Sequence, residues 1–525
     1  MAVSLSADLT EIDDCDSATN WSSNEAFAAD TTSFREGTAS IGIEKVSQET
    51  SYARYDYYTD HGSVYLNITG ETHIYFWVQT TSTPDTIDNG GIRLRLTDAS
   101  GNYKEWWVGG SDNYTGGFQC YVVYTGLTPD DSSGTLNLAQ IRYVTVYFKI
   151  LTKYLVNAPN CWVDILYYGS GLVVEGGTSG DPGTFDEIIA ADVTPAYGVL
   201  NKYQGVFFAQ GPITFGDSDG TSDTYFQDYS QLLIFKDALV SNDHYKINVV
   251  GNSTGTNSFK LGSKSGTAGI QGCTIKSAGD IKVSIDATDT DVNVLGLYGC
   301  TFIDIGESEF SPGATNKEVL SCNFNDSARV VANSMDMANC TIVNADNFGM
   351  EANVADFSVV DSNFISCPDA ILHTLSGVYQ YDNLKFTNNT YDIAFSGASS
   401  SDTLVIESIN NSNPGNYRII VGSGVSIINA VYLTVDVENI YGAPINSAAV
   451  AIYTASGTVL ELLNELTVAG RAQDTYNYTG DMPVTVRIRK SSSGSTRYFP
   501  IDTTGTITEG GYTLTAVMYE DNIAS

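Results

Sequence analysis

Apolar and polar residues alternate with a period of two along most of this chain, in short runs broken by turns, and no long run carries a helical period. A period of two places successive side chains on opposite faces of a strand. Runs of this kind in the first third are His73-Ile-Tyr-Phe-Trp-Val78, Gly91-Ile-Arg-Leu-Arg-Leu96 and Val144-Thr-Val-Tyr-Phe148, with a turn at Asp98-Ala-Ser-Gly-Asn102. Arg93 and Arg95 share one face there, while Ile92, Leu94 and Leu96 share the other, as in a half-solvated antiparallel sheet. All five tryptophans (Trp21, Trp77, Trp106, Trp107 and Trp162) lie in this part. It is expected to close as a jelly-roll sandwich over residues 1–178, and Gly176-Gly-Thr-Ser-Gly-Asp-Pro-Gly183 reads as a linker.

Beyond the linker the pattern repeats. Gly272-Cys-Thr-Ile275, Gly299-Cys-Thr-Phe302, Ser321-Cys-Asn-Phe324, Asn339-Cys-Thr-Ile342, Asp361-Ser-Asn-Phe364 and Asn383-Leu-Lys-Phe386 recur at steps of 27, 22, 18, 22 and 22 residues. A period near 22 with variable insertions is one coil of a solenoid, so residues 183–428 are expected to form a right-handed parallel β-helix. Alternation turns Cys273, Cys300, Cys322 and Cys340 inward with Ile275, Phe302, Phe324 and Ile342, in a ladder of small apolar thiols. From residue 429 a third alternation begins. Val431-Tyr-Leu-Thr-Val-Asp-Val-Glu438, Ala449-Val-Ala-Ile-Tyr453, Val484-Thr-Val-Arg-Ile-Arg489 and Thr513-Leu-Thr-Ala-Val-Met518 predict a β-sandwich over 429–525. The fold class is all-β.

Composition narrows the partners. The chain has 61 acidic and 25 basic side chains, a formal net charge of −36, which repels phosphate backbones and anionic lipid heads. Nucleic acid and membrane are therefore not expected as partners. No apolar run approaches the roughly 20 residues of a membrane span. Met1-Ala-Val-Ser-Leu5 has neither the basic nor the apolar region of an export signal. The eight cysteines are scattered without CxxC spacing and the four histidines stand apart, so free thiols and no zinc site are expected. A β architecture of extracellular type without an export signal suits a virus particle made in the host cytoplasm and released by lysis.

Three segments carry resemblances. Gly91-Ile-Arg-Leu-Arg-Leu-Thr-Asp-Ala-Ser-Gly-Asn-Tyr103, with Trp106-Trp107-Val108-Gly109, resembles concanavalin-like and carbohydrate-binding jelly rolls. The cysteine-centred repeat resembles the right-handed β-helices of pectate lyases and phage tailspikes. Val435-Asp-Val-Glu-Asn-Ile-Tyr-Gly-Ala-Pro-Ile445 with Ala448-Ala-Val-Ala-Ile-Tyr453 resembles Ig-like repeats of the carboxypeptidase-regulatory type. Together they resemble bacteriophage fibre and spike proteins, which implies a homotrimer, other virion proteins as partners, and a host surface glycan as a candidate contact.

Candidate chemistry is sparse. There is no GxSxG elbow, P-loop, HExxH or GxGxxG. Cleavage of a polysaccharide needs paired carboxylates, and four residues beyond the ladder cysteines stand Asp304, Asp326 and Asn344. Asp304 and Asp326 are thus catalytic candidates, against the simpler reading of a corner ladder in which Asp and Asn cap turns. Asp286, Asp289 and Asp291 are calcium candidates by their hard oxygen ligands, with an exposed loop as the plainer reading. Glu307 and Glu309 are read as loop, and Asp13-Asp14-Cys15-Asp16 as an acidic turn, with calcium binding as its alternative. Trp106 and Trp107 are candidates for stacking on sugar, one facing the core and the other the opposite surface. Arg471, Arg487, Arg489, Lys490 and Arg497 read as a solvated face or as a dock for an acidic neighbour. No cofactor other than calcium is in view.

The reading favoured is a non-enzymatic structural protein of a phage particle: a fibre, spike or capsid-surface decoration. A tailspike depolymerase shares every feature except a convincing carboxylate site. A secreted adhesin or lectin is the third reading, disfavoured by the N-terminus.

Overall fold

The structure is a computed structural model that describes residues 3–44, 50–70, 72–81, 87–110, 117–150, 160–192, 198–217, 223–236, 244–264, 269–310, 316–331, 336–355, 357–410, 412–455, 461–491 and 496–521. It is almost entirely strand, with parallel ladders through its middle. The chain falls into two compact units, Met1–Glu351 and Ala352–Ser525, a division that lies inside the segment expected as a single β-helix.

The first unit opens with two antiparallel sheets. Ile87–Asp98 lies between Tyr103–Gly109 and Ile141–Ile150 in one of them. Cys161–Gly176 lies beside His73–Thr80 and Val3–Asp13 in the other. Between the sheets Ile41, Phe76, Leu94, Leu96, Trp106 and Val146 form a buried core. The 16-residue strand Cys161–Gly176 joins the sandwich to the β-helix, because Leu172–Val174 also pairs in parallel with Ile213–Phe215, an early strand of the β-helix.

Each coil that follows has three strands, so the β-helix has three sides. Lys246–Val249, Ser284–Ala287, Glu307–Phe310 and Arg329–Val331 stack on the first side. Asn257–Leu261, Val294–Tyr298 and Asn316–Leu320 stack on the second, and Thr274–Ser277, Thr301–Ile303, Asn323–Asn325 and Thr341–Val343 on the third. All these pairings are parallel and join neighbouring coils, and a parallel crossover of this kind is right-handed by the general rule. Phe302 stacks on Phe324 at 4.8 Å in the interior. Repetition brings like side chains together, and the burial of each ring stabilises the stack by roughly 1.5–3 kcal/mol.

Two features depart from the reading of the sequence. The Gly176–Gly183 segment is not a free linker: Gly183 N–H donates to Tyr225 O at 2.8 Å, and Thr178 and Asp181 bridge to each other. A short helix, Phe185–Ala191, follows it, with a capping box between Thr184 and Glu187. Its Phe185 packs on Phe207 and Phe226 at 5.4 and 5.0 Å, among the first rings of the β-helix interior. The Thr-x-x-Glu spacing was the available signal for this helix.

In the second unit, Asp369–His373 pairs with Tyr391–Ser396, and Gly377–Asp382 pairs with Thr403–Ile409. Another 16-residue strand, Gly424–Asn439, ends the coils. Its first half continues the parallel ladder from Thr403–Ile409, and its second half joins Arg471–Asn477 and Tyr512–Met518 in a sandwich sheet. Leu433, Val435, Val450, Ile452, Val484 and Val486 fill that sandwich.

Candidate functional site

The third side of the β-helix is built from strands of three or four residues, and its corners explain the Asp and Asn positions. Asp304, Asp326 and Asn344 have φ of 53°, 51° and 52°. In this left-handed region Asn and Asp are the least disfavoured residues after glycine, because their short polar side chains bond locally. The Asp304 and Asp326 amides donate to Asn325 O and Val343 O of the next coil at 3.1 and 3.0 Å. On the inner side of the corner before these strands, Cys300, Cys322 and Cys340 direct their thiols to Leu261 O, Leu297 O and Val319 O at 3.3–3.4 Å. All eight cysteines are buried. Burial pushes the Cys273 thiol up to about 12, so it is an inert core group.

A cleft of about 490 Å³ lies on the first side of the β-helix, lined in part by Lys246, Lys282, Asp286, Glu307, Glu309 and Asp346. Glu307 and Glu309 are therefore not loop residues. They alternate with buried Ser308 and Phe310 along the strand Glu307–Phe310, so both carboxylates face outward. Pairing sets Asp286 beside Glu309 and Glu307 beside Arg329 on adjacent coils, at the strand spacing of about 4.8 Å.

Each cation of this surface has a carboxylate partner. Lys246 Nζ donates to Asp286 Oδ2 at 2.8 Å, and Arg329 binds Glu307 at 2.5 Å and Glu351 as well. Lys282 Nζ meets Asp346 Oδ2 at 2.8 Å and Asp326 O at 2.9 Å, which ties it to one of the corners. Burial by itself would raise the Asp286 pKa, but the bonds from Lys246 and Thr288 hold it below the ordinary carboxylate value. A general acid must keep its proton near neutral pH, and a carboxylate bonded to an ammonium group does the opposite.

The calcium candidates are employed otherwise. Asp286 belongs to Lys246, while Asp289 accepts from Gly251 N and Asp291 N at 3.1 and 2.9 Å. Among the described residues no three His, Cys, Asp or Glu side chains gather as a metal site. In the N-terminal turn, Asp13 takes the Trp21 indole N–H at 3.0 Å, and Asp16 takes Thr38 N and Ala39 N.

The two adjacent tryptophans separate. Trp106 is 1% exposed, its N–H donating to Leu127 O at 3.3 Å, so it belongs to the core and offers no face to a sugar. Trp107 is 43% exposed, with Arg93 4.3 Å from its ring centre and its N–H on buried Glu105 at 3.1 Å. The basic residues near the C-terminus do not share one sheet. Arg471 lies on Arg471–Asn477, where it grips Asp436 at 2.7 and 3.1 Å, whereas Arg487 and Arg489 lie on the opposite sheet.

No family model matches the chain, and no curated protein matches it. Among solved structures, the catalytic unit of a thermostable GH87 alpha-1,3-glucanase from Streptomyces thermodiastaticus strain HF3-3 aligns at 11% identity. That alignment covers 79% of this chain and 71% of the other, with a TM-score of 0.19. The catalytic domain of a GH87 alpha-1,3-glucanase, a substituted form in complex with nigerose, aligns at 11% identity over 88% and 80%, with a TM-score of 0.16. Likeness at this level carries no argument about chemistry.

Proposed function

We propose that this chain is a non-enzymatic structural protein of a bacteriophage particle, a homotrimeric β-helical fibre or spike that contacts host glycan and is released with the virion on lysis. The observation that carries the non-enzymatic part is the pairing within the cleft. Asp286, Glu307 and Asp346 each have a cation within 2.5–2.8 Å, and a carboxylate so held is a poor proton donor. The left-handed corners at Asp304 and Asp326 support the same reading. The all-exposed strand Tyr417–Val421, with Ile419 and Ile420 open to solvent, supplies apolar surface suited to self-association. The test is incubation of the purified protein with host capsule or lipopolysaccharide, expecting no new reducing ends and no unsaturated sugars.

The depolymerase reading has one observation in its favour, Asp286 and Glu309 as register partners on neighbouring coils, both facing outward, since glycoside cleavage uses a pair of carboxylates. Oligosaccharide release by the wild type, abolished in Glu309→Gln or Asp286→Asn, would establish that reading in place of the first.

A further inference from the structure

A second cavity, of about 760 Å³, lies in the first unit between the sandwich and the hairpin Leu200–Tyr203/Val206–Ala209. The sandwich contributes Trp77 and Gln119 from the paired strands His73–Thr80 and Gln119–Tyr124. Asn201 and Phe208 are direct partners across the hairpin and share its outer face. Gly198 permits the approach of the two parts, since a Cβ there would lie 2.1 Å from Trp77 Cζ2.

The charge of this cavity is opposite to that of the chain. Arg35 and Lys236 line it, and among its described lining residues there is no Asp or Glu. Arg35 lies 4.8 Å over the Trp77 ring and donates to Asn201 Oδ1 at 2.9 Å, with Asp192 first among the carboxyl groups that act on its charge. Lys236 has no such balance. Its Nζ donates to the Gln119 amide oxygen at 3.3 Å and stands 5.9 Å from the Phe208 ring, and no described carboxylate pairs with it. A half-buried ammonium without a counter-ion is costly, and an incoming anion removes that cost. Trp77 is 4% exposed, and its indole N–H has no acceptor among the described residues. A buried donor left unmade on a cavity wall calls for an external oxygen.

Aromatic faces, amide groups and one unbalanced cation are together the requirements of a charged sugar. The ring stacks on the exposed Tyr203 or the half-buried Phe208, which line the cavity, its hydroxyls bond the amides and the Trp77 N–H, and its carboxylate meets the ammonium. We propose that this cavity binds a carboxylate-bearing sugar unit of an acidic polysaccharide. The proposal rests on the glycan-contact part of the function above and supplies its substrate class. It also accounts for how so acidic a protein could hold an anionic glycan: only a local cation overcomes the general repulsion.

The test is calorimetric titration of the full chain with tetragalacturonate, its neutral methyl ester, an oligosaccharide ending in N-acetylneuraminate, and sodium sulfate. We expect at least one acidic sugar to bind with Kd below about 1 mM, and the ester to bind about tenfold more weakly than the free acid if the uronate is the ligand. Lys236→Gln should weaken acid binding about tenfold with an unchanged melting temperature. Asn201→Ala provides a second variant, expected to weaken binding severalfold. The proposal is overturned if neither acid binds at about 10 mM, if Lys236→Gln binds as the wild type does, or if sulfate binds as tightly as the sugar. These outcomes are independent of the reducing-end assay, which bears on the non-enzymatic reading alone.

Discussion

The cleft on the β-helix flank and the cavity beside the first hairpin are both lined by charged groups, but only in the cleft does every cation have a carboxylate partner. In the cleft, the strand ladder sets Lys246 against Asp286 and Arg329 against Glu307 and Glu351. In the cavity, Lys236 has an amide and a ring for company. The difference follows from how each is built. A stack of similar coils offers every outward side chain a neighbour about 4.8 Å away, so opposite charges can settle into pairs. A cavity formed where a non-repeating sandwich adjoins the coils has no such regular neighbour, and an unbalanced group persists there.

The sharpest challenge to this contrast is to remove one cation from each place. Arg329→Met should destabilise the protein by about 1 kcal/mol, since Glu307 and Glu351, on the coils either side of it, both lose their counter-charge. Lys236→Met should be neutral, or stabilising by up to about 1 kcal/mol, because it replaces an unpaired ammonium with an apolar chain. Denaturant unfolding of both variants checks the signs, and equal losses would dissolve the distinction.

A somewhat smaller effect should come from pH. Asp164 is fully buried, and burial raises its pKa to about 7, although the Arg35 and Glu36 amides bond to it. Its folded pKa lies above the unfolded value near 3.8. Its contribution is therefore fully present below about pH 4 and is lost as pH rises toward 7. Asp164→Asn should accordingly raise the melting temperature at pH 8 and leave it nearly unchanged at pH 4, by scanning calorimetry. In the second unit His373 behaves with the opposite sign. It is buried against Tyr381 at 2.8 Å, and burial lowers its pKa to about 3. The unfolded imidazole binds a proton that the folded one refuses, so stability there falls as pH drops from about 6.5 toward 3. Replacing His373 with Gln should flatten that acid limb.

The smallest effect is expected at the corners. Asp304→Asn with Asp326→Asn should change stability by less than about 0.5 kcal/mol, since Asn tolerates the left-handed backbone as well as Asp does. Val at either position should cost about 1–2 kcal/mol. A large loss in the Asn double variant, seen in a melting curve, would mean the carboxylates do more than hold a turn.

Much of the β-helix could be read in the sequence because its interior repeats. The Cys300-Thr-Phe302 and Cys322-Asn-Phe324 runs carry the inward and outward alternation explicitly, and the Asp304 and Asp326 corners mark where each strand ends. The cleft was hidden because Asp286 and Glu309 belong to the first side, whose strands bear no shared motif. Their pairing depends on insertions of unequal length between coils. Glu307 and Glu309 were misjudged for the same reason: two acidic residues with one small residue between them look like a loop until Ser308 and Phe310 are seen to be buried. Trp106 and Trp107 were correctly expected to face opposite ways, but which of them faces the core depends on the sheet packed behind them.

Periodicity alone determined the all-β class, the repeat and the inward register of its thiols, because these follow from side-chain direction within a strand and from one coil stacking on the next. Tertiary structure decided the rest. The 16-residue strands Cys161–Gly176 and Gly424–Asn439 each serve two sheets, and no local pattern announces a strand that changes partners midway. Arg35, Trp77, Asn201 and Lys236 are about two hundred residues apart from first to last, and they share a cavity only after the sandwich and the first coils have packed. Charge balance is likewise a property of neighbours in space, which is why composition described an acidic chain and only the fold located an unbalanced cation on the wall of a cavity.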